Sequence, residues 1–259
     1  MMMMMNISIK SVKEIEIMRV AGKILAGIIK SVKAAARPGV SLKELDSLAE
    51  KLIREAGCKP AFLGYRPEGA AKSYPASICA SINEVVVHGI PGKYVLKDRD
   101  ILKLDFGLIY PPINGFNVDS ATTVAVGKIN RTVERFIEVT RQALARGIEQ
   151  AKVGNHLGDI GWAIQSYVES EKFSIIKELT GHGIGRILHE DPPVYNYGRA
   201  GTGVLLQSGM TFAIEPMVSA GSGEVVQRPD DSFATKDGSI SAHFEHTIVI
   251  TARGPEILT

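Results

Sequence analysis

The sequence predicts an α+β fold in which helices pack on one face of a curved antiparallel sheet. Two helical segments open the chain, strand-like segments follow, and the same order of helices and strands then repeats. Hydrophobic residues make up 45% of the chain and charged residues 22%, which is ordinary globular usage. The two αβ halves share a plan, and the absence of a low-complexity linker between them favours one domain over two separate ones.

Capping patterns and apolar spacing predict four helices. A Ser-x-x-Glu capping box occurs at Ser11 and again at Ser41, each time before apolar residues at three- and four-residue spacing. Glycine near residue 57 is expected to end the second helix, since glycine tolerates the left-handed conformation of a helix end. The predicted helices are 11–35, 41–57, 131–152 and 158–172.

Strands are predicted between and after the helices. The first predicted strand region reverses at an Asn83-Glu84 turn, and Asp119 is expected just before the third region. The predicted strand regions are 76–88, 101–110, 121–126, 211–219, 224–227 and 243–251.

Charge and composition exclude several classes of protein. The 30 Lys and Arg residues against 28 Asp and Glu residues leave a net charge of +2, so no specific nucleic-acid partner is predicted. No apolar run is long enough for a membrane span, and two cysteines are too few for a disulfide framework. We therefore expect a cytoplasmic protein with reduced thiols, in which residues 1–6 are a disordered or artefactual start and 7–259 a single domain.

Four carboxylates lie in or beside predicted strands, which would half or fully bury at least three of them: Asp105, Asp119, Glu215 and Glu245. A buried, unpaired carboxylate is costly and needs a cation or a proton. Lys103 is two residues from Asp105 on the same strand face and could pair with it, but no other basic residue follows these acids. Shared divalent metal ions are therefore the more economical counter-charge.

Three histidines accompany the acids. His182 lies in a glycine-rich stretch that allows the backbone close to a ligand, and neutral imidazole is a common metal ligand. His88 ends a predicted strand, and His189 follows His182 after a short interval. Any one of these histidines alone would more often be structural, so the argument depends on their occurring together with the carboxylates.

The remaining histidines are interpreted as structural or supporting residues. His156 stands at a predicted helix start. His243 and His246 flank Glu245, and strand alternation places His243 on the face of Glu245 and His246 on the opposite face.

The donor set predicts the kind of metal. Four carboxylates and one imidazole contain too little nitrogen and sulfur for a structural zinc site. Oxygen-rich sets that include imidazole suit manganese, iron, cobalt or zinc, and bridging carboxylates commonly hold two such ions. The sequence does not distinguish among these four metals, because supply overrides intrinsic affinity.

In its motifs the chain resembles the methionine aminopeptidases from about residue 7 to the end. The matching stretches are SINEVVVHG at 81–89, LDFG at 104–107, VDS at 118–120, GHGIGRILHE at 181–190, GMTFAIEPM at 209–217 and SAHFEHT at 241–247. The resemblance implies the pita-bread fold, in which two pseudo-symmetric αβ halves hold metals between them. It also implies the short bacterial form, type I, because the 33 positions between His182 and Glu215 leave no room for a helical insertion.

The resemblance also implies roles for the site residues. Two divalent ions would be held by Asp105, Asp119, His182, Glu215 and Glu245. Asp119 and Glu245 would bridge the two ions, and Glu215 would also move the proton of the activated water. His88 would contact the substrate and assist the reaction, while His189 would bind the scissile carbonyl oxygen or stabilise the tetrahedral intermediate.

Further positions match the family with less specific motifs. Tyr65 and Cys79 correspond to the methionine pocket, as do Tyr74 and Leu188, although ordinary packing would also explain these residues. Some members of the family bind a monovalent cation, and the residues of that site correspond to Asn83, Val85 and Ser241.

Two segments depart from the expected short bacterial pattern. The 14 positions between Asp105 and Asp119 are a few more than expected, and the extra residues would form a hairpin loop within 108–117. The segment 64–75, where members of the family build the methionine pocket, is also longer than expected.

The implied activity is removal of the initiator methionine from nascent proteins by a hydroxide that two metals activate, with preference for a small second residue. A free α-amine would face the metals. The implied partners are nascent N-termini and, transiently, the ribosome, and the expected state is a monomer. A proline-directed peptidase of the same fold and a metal-free binding protein on this scaffold remain the alternatives.

Overall fold

The helices of the computed structural model agree with the sequence prediction. The structure describes residues 6–66 and 72–259, so the start at Met1–Met5 and part of the 64–75 segment lie outside the described residues. Ser11 and Ser41 cap their helices through complete capping boxes, and Gly57 has the positive φ of 70° that suits a helix end. The helices are α1 (Val12–Ala35), α2 (Leu42–Glu55), α3 (Arg131–Gln150) and α4 (Leu157–Ser170).

Strands occupy every predicted region, and several further short strands lie outside those regions. In the first half they are β1 (Lys59–Pro60), β2 (Cys79–Ile82), β3 (Val85–Val87), β4 (Ile101–Tyr110) and β5 (Phe116–Ala125). In the second half they are β6 (Ser174–Ile175), β7 (Gly181–Gly183), β8 (Glu190–Val194), β9 (Thr211–Ile214), β10 (Met217–Ser219), β11 (Val225–Gln227), β12 (Phe233–Thr235), β13 (Ser241–His243), β14 (His246–Thr251) and β15 (Gly254–Ile257).

Antiparallel pairing distributes these strands over four sheets in the described part of the chain, rather than one. The orders are β1–β4–β2 with β5 on β4, β13–β10–β6, β11–β12–β3, and β15–β14–β9–β7–β8. Strand β3 from the first half pairs with β12 from the second, so backbone hydrogen bonds join the halves.

Each half buries its helix pair against its own strands. Met18 and Leu45 of the first helix pair share a core with Phe106 of β4. Phe136 and Ile160 of the second pair share another core that includes strand residues of β9 and β14. The predicted helix–sheet layering is thus confirmed twice, once in each half. None of the helices in the described ranges is long and apolar enough to cross a membrane.

Three of the differences from the predicted strand boundaries concern the acids. The strand predicted to begin at 121 begins at Phe116, which places Asp119 inside it. The region 211–219 breaks at Glu215 and Pro216, because proline has no N–H to donate to a ladder. The region 243–251 breaks opposite that point, and Glu245 lies in the gap.

The close packing of α1 gives a stability prediction. A Cβ on Gly22 would lie 2.0 Å from the carbonyl oxygen of Leu258, so Gly22→Ala should lower the free energy of unfolding by about 1–3 kcal/mol through overpacking. Gly27 of the same helix has no neighbour within 4 Å, and Gly27→Ala should instead raise it by up to about 1 kcal/mol through helix propensity. Urea denaturation of both variants measures the difference; equal effects would contradict the packing.

Candidate metal centre

The β4–β5 hairpin places two of the acids on one face. Asp105 pairs with Ala121 and Gly107 with Asp119, so the two aspartates are diagonal neighbours across the ladder. A Cβ on Gly107 would lie 3.3 Å from Asp119 Oδ1, so glycine leaves space beside that carboxylate. The ladder continues to Tyr110 opposite Phe116, so the extra residues lie at the hairpin tip and do not change how the aspartates face each other. The predicted hairpin loop is confirmed.

The two glutamates lie at a junction between sheets. Ile214 pairs with His246 in one sheet, and Met217 pairs with His243 in another. Glu215 and Glu245 lie in the short unpaired segments between these pairs. Both chain segments therefore leave one sheet and enter the next together, and each has a glutamate at the crossing.

Hydroxyl side chains join this junction to the aspartate hairpin. Thr247 Oγ1 accepts a hydrogen bond from the Asp119 N–H and donates one to the Asp119 carbonyl, both at 2.8 Å. Ser120 Oγ donates to the Glu245 carbonyl at 2.8 Å, and the Glu245 N–H donates to the Ala121 carbonyl at 3.0 Å. These bonds hold the backbones of Asp119 and Glu245 together although the two residues are far apart in sequence.

His182 presents one ring nitrogen to the glutamates. Its Nδ1 lies 2.8 Å from the Gly183 carbonyl, which only accepts, so Nδ1 carries the proton and Nε2 has a free lone pair. Nε2 lies 3.7 Å from Glu215 Oε1. Burial lowers the pKa of His182 to about 4, so the imidazole is neutral at physiological pH and suited to bind a metal.

The buried donor atoms converge in two overlapping groups. Asp119, His182 and Glu245 each offer a ligand atom within 4.8 Å of the others, and Glu215, His243 and Glu245 do the same. Asp105 Oδ1 and Glu245 Oε1 are buried without a hydrogen-bond partner. Orphaned carboxylate oxygens beside a neutral imidazole are the donors that a divalent ion would satisfy, so these residues fit a metal site.

Electrostatics make this arrangement unfavourable without bound cations. Burial, followed by repulsion between neighbouring acids, raises the pKa values of Asp105, Glu215 and Glu245 well above their ordinary range. Burial raises the pKa of Asp119 to about 7. The site therefore binds positive charge, either protons or metal ions.

The possible pairing of Lys103 with Asp105, the alternative to a shared metal ion, is not observed. Lys103 Nζ donates to the Asn83 carbonyl at 2.7 Å, and burial lowers its pKa to about 7. Among the described residues, no ion pair joins a Lys or Arg to any of the four carboxylates. The strand register explains this: Asp105 lies opposite Cys79, whereas the turn between β2 and β3 lies on the other side of Lys103, so the Lys103 side chain reaches away from Asp105.

Two further histidines line the open side of this centre. The Tyr65 hydroxyl and His189 Nδ1 are 2.7 Å apart, and the His189 ring meets the His182 ring edge-on with centroids 4.4 Å apart. His88 has a positive φ of 60° and packs edge-on against Phe233, with centroids 5.8 Å apart. Both His88 and His189 are exposed, which leaves their rings accessible to a substrate.

The other predicted pocket residues lie beside the centre. Cys79 is buried and pairs with Asp105 across β2 and β4. The Tyr74 hydroxyl donates to the carbonyls of Ile78 and Gly89, both at 3.0 Å. Leu188 is buried in the first core.

The predicted monovalent-cation residues also converge. Ser241 Oγ donates to the Asn83 carbonyl at 3.1 Å and to the Val85 carbonyl at 3.2 Å. The Asn83 carbonyl also accepts from Lys103. The three residues are thus neighbours, although a side-chain amine already engages one of the carbonyls.

One feature near the site goes beyond the sequence interpretation, and a second agrees with it. Lys10 Nζ forms a buried ion pair with Glu190, which ties the segment carrying His189 to the N-terminal segment. No spacing rule relates residues so far apart. His243 faces the glutamates as alternation predicted, with Nε2 3.2 Å from Glu215 Oε2, whereas His246 contacts Thr259. Burial lowers the pKa of His243 to about 3.

Comparisons with known proteins agree with this geometry. The profile of metallopeptidase family M24 matches residues 16–252. The methionine aminopeptidase of Clostridium perfringens is 46% identical over 254 residues, which cover 98% of this chain and 98% of that protein. The crystal structure of methionine aminopeptidase from Rickettsia prowazekii has a TM-score of 0.92 at 40% identity, covering 98% of this chain and 99% of that one.

A more distant likeness shows the fold alone. The prolidase from Pyrococcus horikoshii OT3 has a TM-score of 0.76 at 23% identity, and the match covers 97% of this chain but 63% of the prolidase. Together with the closer likenesses it confirms the predicted pita-bread fold.

The raised carboxylate pKa values predict how stability depends on pH. Without metal, the Asp119 carboxyl is protonated in the folded state up to about 7 but ionises near 3.8 when unfolded. The folded state then binds more protons, so stability should fall as pH rises through this range. The melting temperature of metal-free protein should therefore decrease between about pH 5 and pH 8, and the stabilisation by added Mn²⁺ should increase as protons stop competing.

Asp119→Asn is the control for this pH dependence, because the amide does not ionise. Calorimetry in EDTA should give a flatter pH profile for this variant than for the wild type. A wild-type melting temperature that rises steadily between the same pH values would contradict the electrostatic argument.

Proposed function

The chain belongs to metallopeptidase family M24 and, within it, to the methionine aminopeptidases, and we propose that it removes the N-terminal methionine of nascent proteins when the second residue is small. One observation carries the proposal: ligand atoms of Asp119, His182, Glu215 and Glu245 converge beside the charge of Asp105, and none of these carboxylates has a Lys or Arg partner among the described residues. Such a donor set matches the hydrolytic metal chemistry of the family.

Five residues would hold the metals, namely Asp105, Asp119, His182, Glu215 and Glu245. Asp119 and Glu245 would bridge two divalent ions, for which cobalt, manganese, iron and zinc all suit the donor set. When bound, such ions supply Lewis acidity and lower the pKa of water. The carboxylates would become ionised as the ions bind, because the cations replace the protons that the buried site otherwise retains.

Glu215 is proposed to move the proton in the reaction. It lies at the junction between the sheets, 3.7 Å from His182 Nε2, and burial together with the charges of Asp105 and Asp119 raises its pKa. A carboxylate beside the reacting water can accept a proton from it and then donate that proton to the leaving amine.

His189 and His88 are proposed to act on the substrate. When the Tyr65 hydroxyl donates to His189 Nδ1, the proton of the neutral ring lies on Nε2. That N–H is then available to bind the scissile carbonyl oxygen or the developing oxyanion. His88, exposed beside Phe233, is proposed to contact the peptide on the other side of the centre and assist the reaction.

The methionine side chain is proposed to bind near Tyr65 and Cys79, with Tyr74 and Leu188 as neighbours. A thioether is apolar and flexible, and it makes favourable contacts with aromatic rings. The substrate's free ammonium group would be attracted to the carboxylate-rich centre, whereas a blocked N-terminus lacks that charge.

The cellular context follows from the proposed substrate. We propose a cytoplasmic monomer in which residues 7–259 form the catalytic domain, and which contacts the ribosome transiently to reach new N-termini. The neighbouring residues Asn83, Val85 and Ser241 are proposed as ligands of a monovalent cation.

A peptide assay tests the proposed function directly. Metal-loaded protein should release methionine from Met-Ala-Ser, should not cleave the N-acetylated form, and should lose activity after dialysis against a chelator. An Xaa-Pro peptide is the control for a proline-directed peptidase, since prolidases share the fold. Cleavage of the Xaa-Pro peptide alone would refute the proposal, and no hydrolysis with any of the four metals would favour a binding protein.

The proton-moving role of Glu215 gives a kinetic prediction. Glu215→Gln keeps the size and one oxygen donor but removes the basic carboxylate, so kcat should fall by about 100- to 10,000-fold. Steady-state assays on Met-Ala-Ser measure kcat, while metal analysis and a melting curve establish that the variant still binds metal and folds. Glu224→Gln, on the exposed surface, is the matched control and should be unaffected. A near-normal rate for Glu215→Gln would exclude the proton-moving role.

A further inference from the structure

Lys10 and Glu190 form an ion pair that is almost entirely buried. Only 2% of the Lys10 side chain and 9% of the Glu190 side chain are exposed. The backbone N–H of Lys10 also donates to the Gly209 carbonyl at 2.8 Å, so Lys10 is held at both its backbone and its side chain. Because removing one partner of a buried ion pair leaves an uncompensated charge, each of these two residues fixes the position of the other.

The turn 184–189, which connects β7 to β8, wraps closely around this ion pair. Glu190 is the first residue of β8 and directly follows the turn. A Cβ on Gly185 would lie 2.4 Å from Lys10 Cε and 2.6 Å from Glu190 Oε1, so only glycine fits beside the two side chains. The Ile187 N–H points inward and donates to Glu190 Oε1 at 3.4 Å. The ion pair therefore supports the turn from inside.

His189 lies at the end of this turn, directly before Glu190 and outside the strands. Its Nδ1 contacts the Tyr65 hydroxyl, and its ring packs edge-on against that of His182. One planar peptide unit joins His189 to Glu190, so a shift of one backbone moves the other. By holding the Glu190 side chain, Lys10 limits how far the His189 ring can move from these two partners.

We propose that Lys10 is a positioning residue, which acts through Glu190 to hold His189 where it meets the substrate. Without Lys10, the Glu190 carboxylate would be buried and unpaired, and the turn would have to open to hydrate it. His189 would then move, and a displacement of about 1 Å in an active site can lower the rate by about 100-fold. This inference rests on the proposed function, in which His189 binds the scissile carbonyl oxygen or the developing oxyanion.

Steady-state kinetics on Met-Ala-Ser test the proposal. Lys10→Met keeps the length of the side chain and removes its charge, so kcat should fall by about 10- to 100-fold. KM should change by less than about threefold, because the variant loses a contact that strengthens in the transition state and leaves the methionine pocket intact. Metal content should stay at the wild-type level.

Lys236→Met is the matched control, because it breaks an exposed Lys–Glu ion pair, the one with Glu224, and should leave kcat unchanged. A lower melting temperature of Lys10→Met with an unchanged kcat would make the ion pair merely structural and overturn the proposal. A fall in kcat that parallels a loss of metal would also overturn it, since Lys10 would then act on the metal ligands and not on His189.

The NMR signals of the His189 ring nitrogens report its position directly. In ¹⁵N-labelled, Zn²⁺-loaded protein they are identified by their absence from His189→Gln. Wild-type protein should carry the ring proton on Nε2, because the Tyr65 hydroxyl donates to Nδ1, whereas Lys10→Met should show a mixture of both tautomers. An identical His189 spectrum in the two proteins would overturn the proposal.

The outcomes separate this inference from the proposed function. If wild-type protein does not hydrolyse Met-Ala-Ser, the proposed function fails, and the His189 spectrum still decides whether Lys10 positions His189. If Lys10→Met does not fold, Glu190→Gln replaces it, because the amide keeps the size and an acceptor oxygen but not the charge. Its kcat should fall by about 3- to 10-fold, and an unchanged kcat would overturn the proposal.

Discussion

The electrostatic cost of burying four carboxylates together is the constraint on which the rest of the structure depends. Burial and mutual repulsion raise the pKa values of these acids. Among the described residues, no lysine or arginine forms an ion pair with any of them. Lys103, the nearest candidate, donates to a backbone carbonyl instead. A fold that maintains this cluster is stabilised by the cations it binds, so metal affinity and stability are coupled.

The architecture concentrates these acids by interrupting regular structure. Glu215 and Glu245 lie where paired strands cross from one sheet to the next, and Pro216 prevents the ladder from continuing there. Hydroxyl groups join the two ladders beside this junction: Thr247 holds both backbone groups of Asp119. The same device recurs at Thr123, which holds both backbone groups of His243, so short side chains of one half of the fold position residues of the other half.

Much of the fold followed from local sequence rules. Capping boxes located the first two helices, and strand β4 has the predicted bounds, because these features depend on residues close in sequence. The strand boundaries near the acids were less predictable. Asp119 lies inside β5, although the polar residues around it led us to predict that the strand begins after it. Glu215 and Glu245 each interrupt a segment that was predicted as one continuous strand because its other residues are mostly apolar.

The sequence by itself determined which chemical groups the site contains: carboxylates in apolar strands, histidines among glycines, and motifs that resemble one peptidase family. Alternation along a strand also predicted that His243, and not His246, lies on the same face as Glu245, because successive side chains of a strand point to opposite faces. Only the tertiary structure decided the contacts between elements, such as the bond from Tyr65 to His189 and the ion pair between Lys10 and Glu190. Periodicity fixes which way a side chain points within its element, whereas distances between elements depend on how the sheets and helices pack.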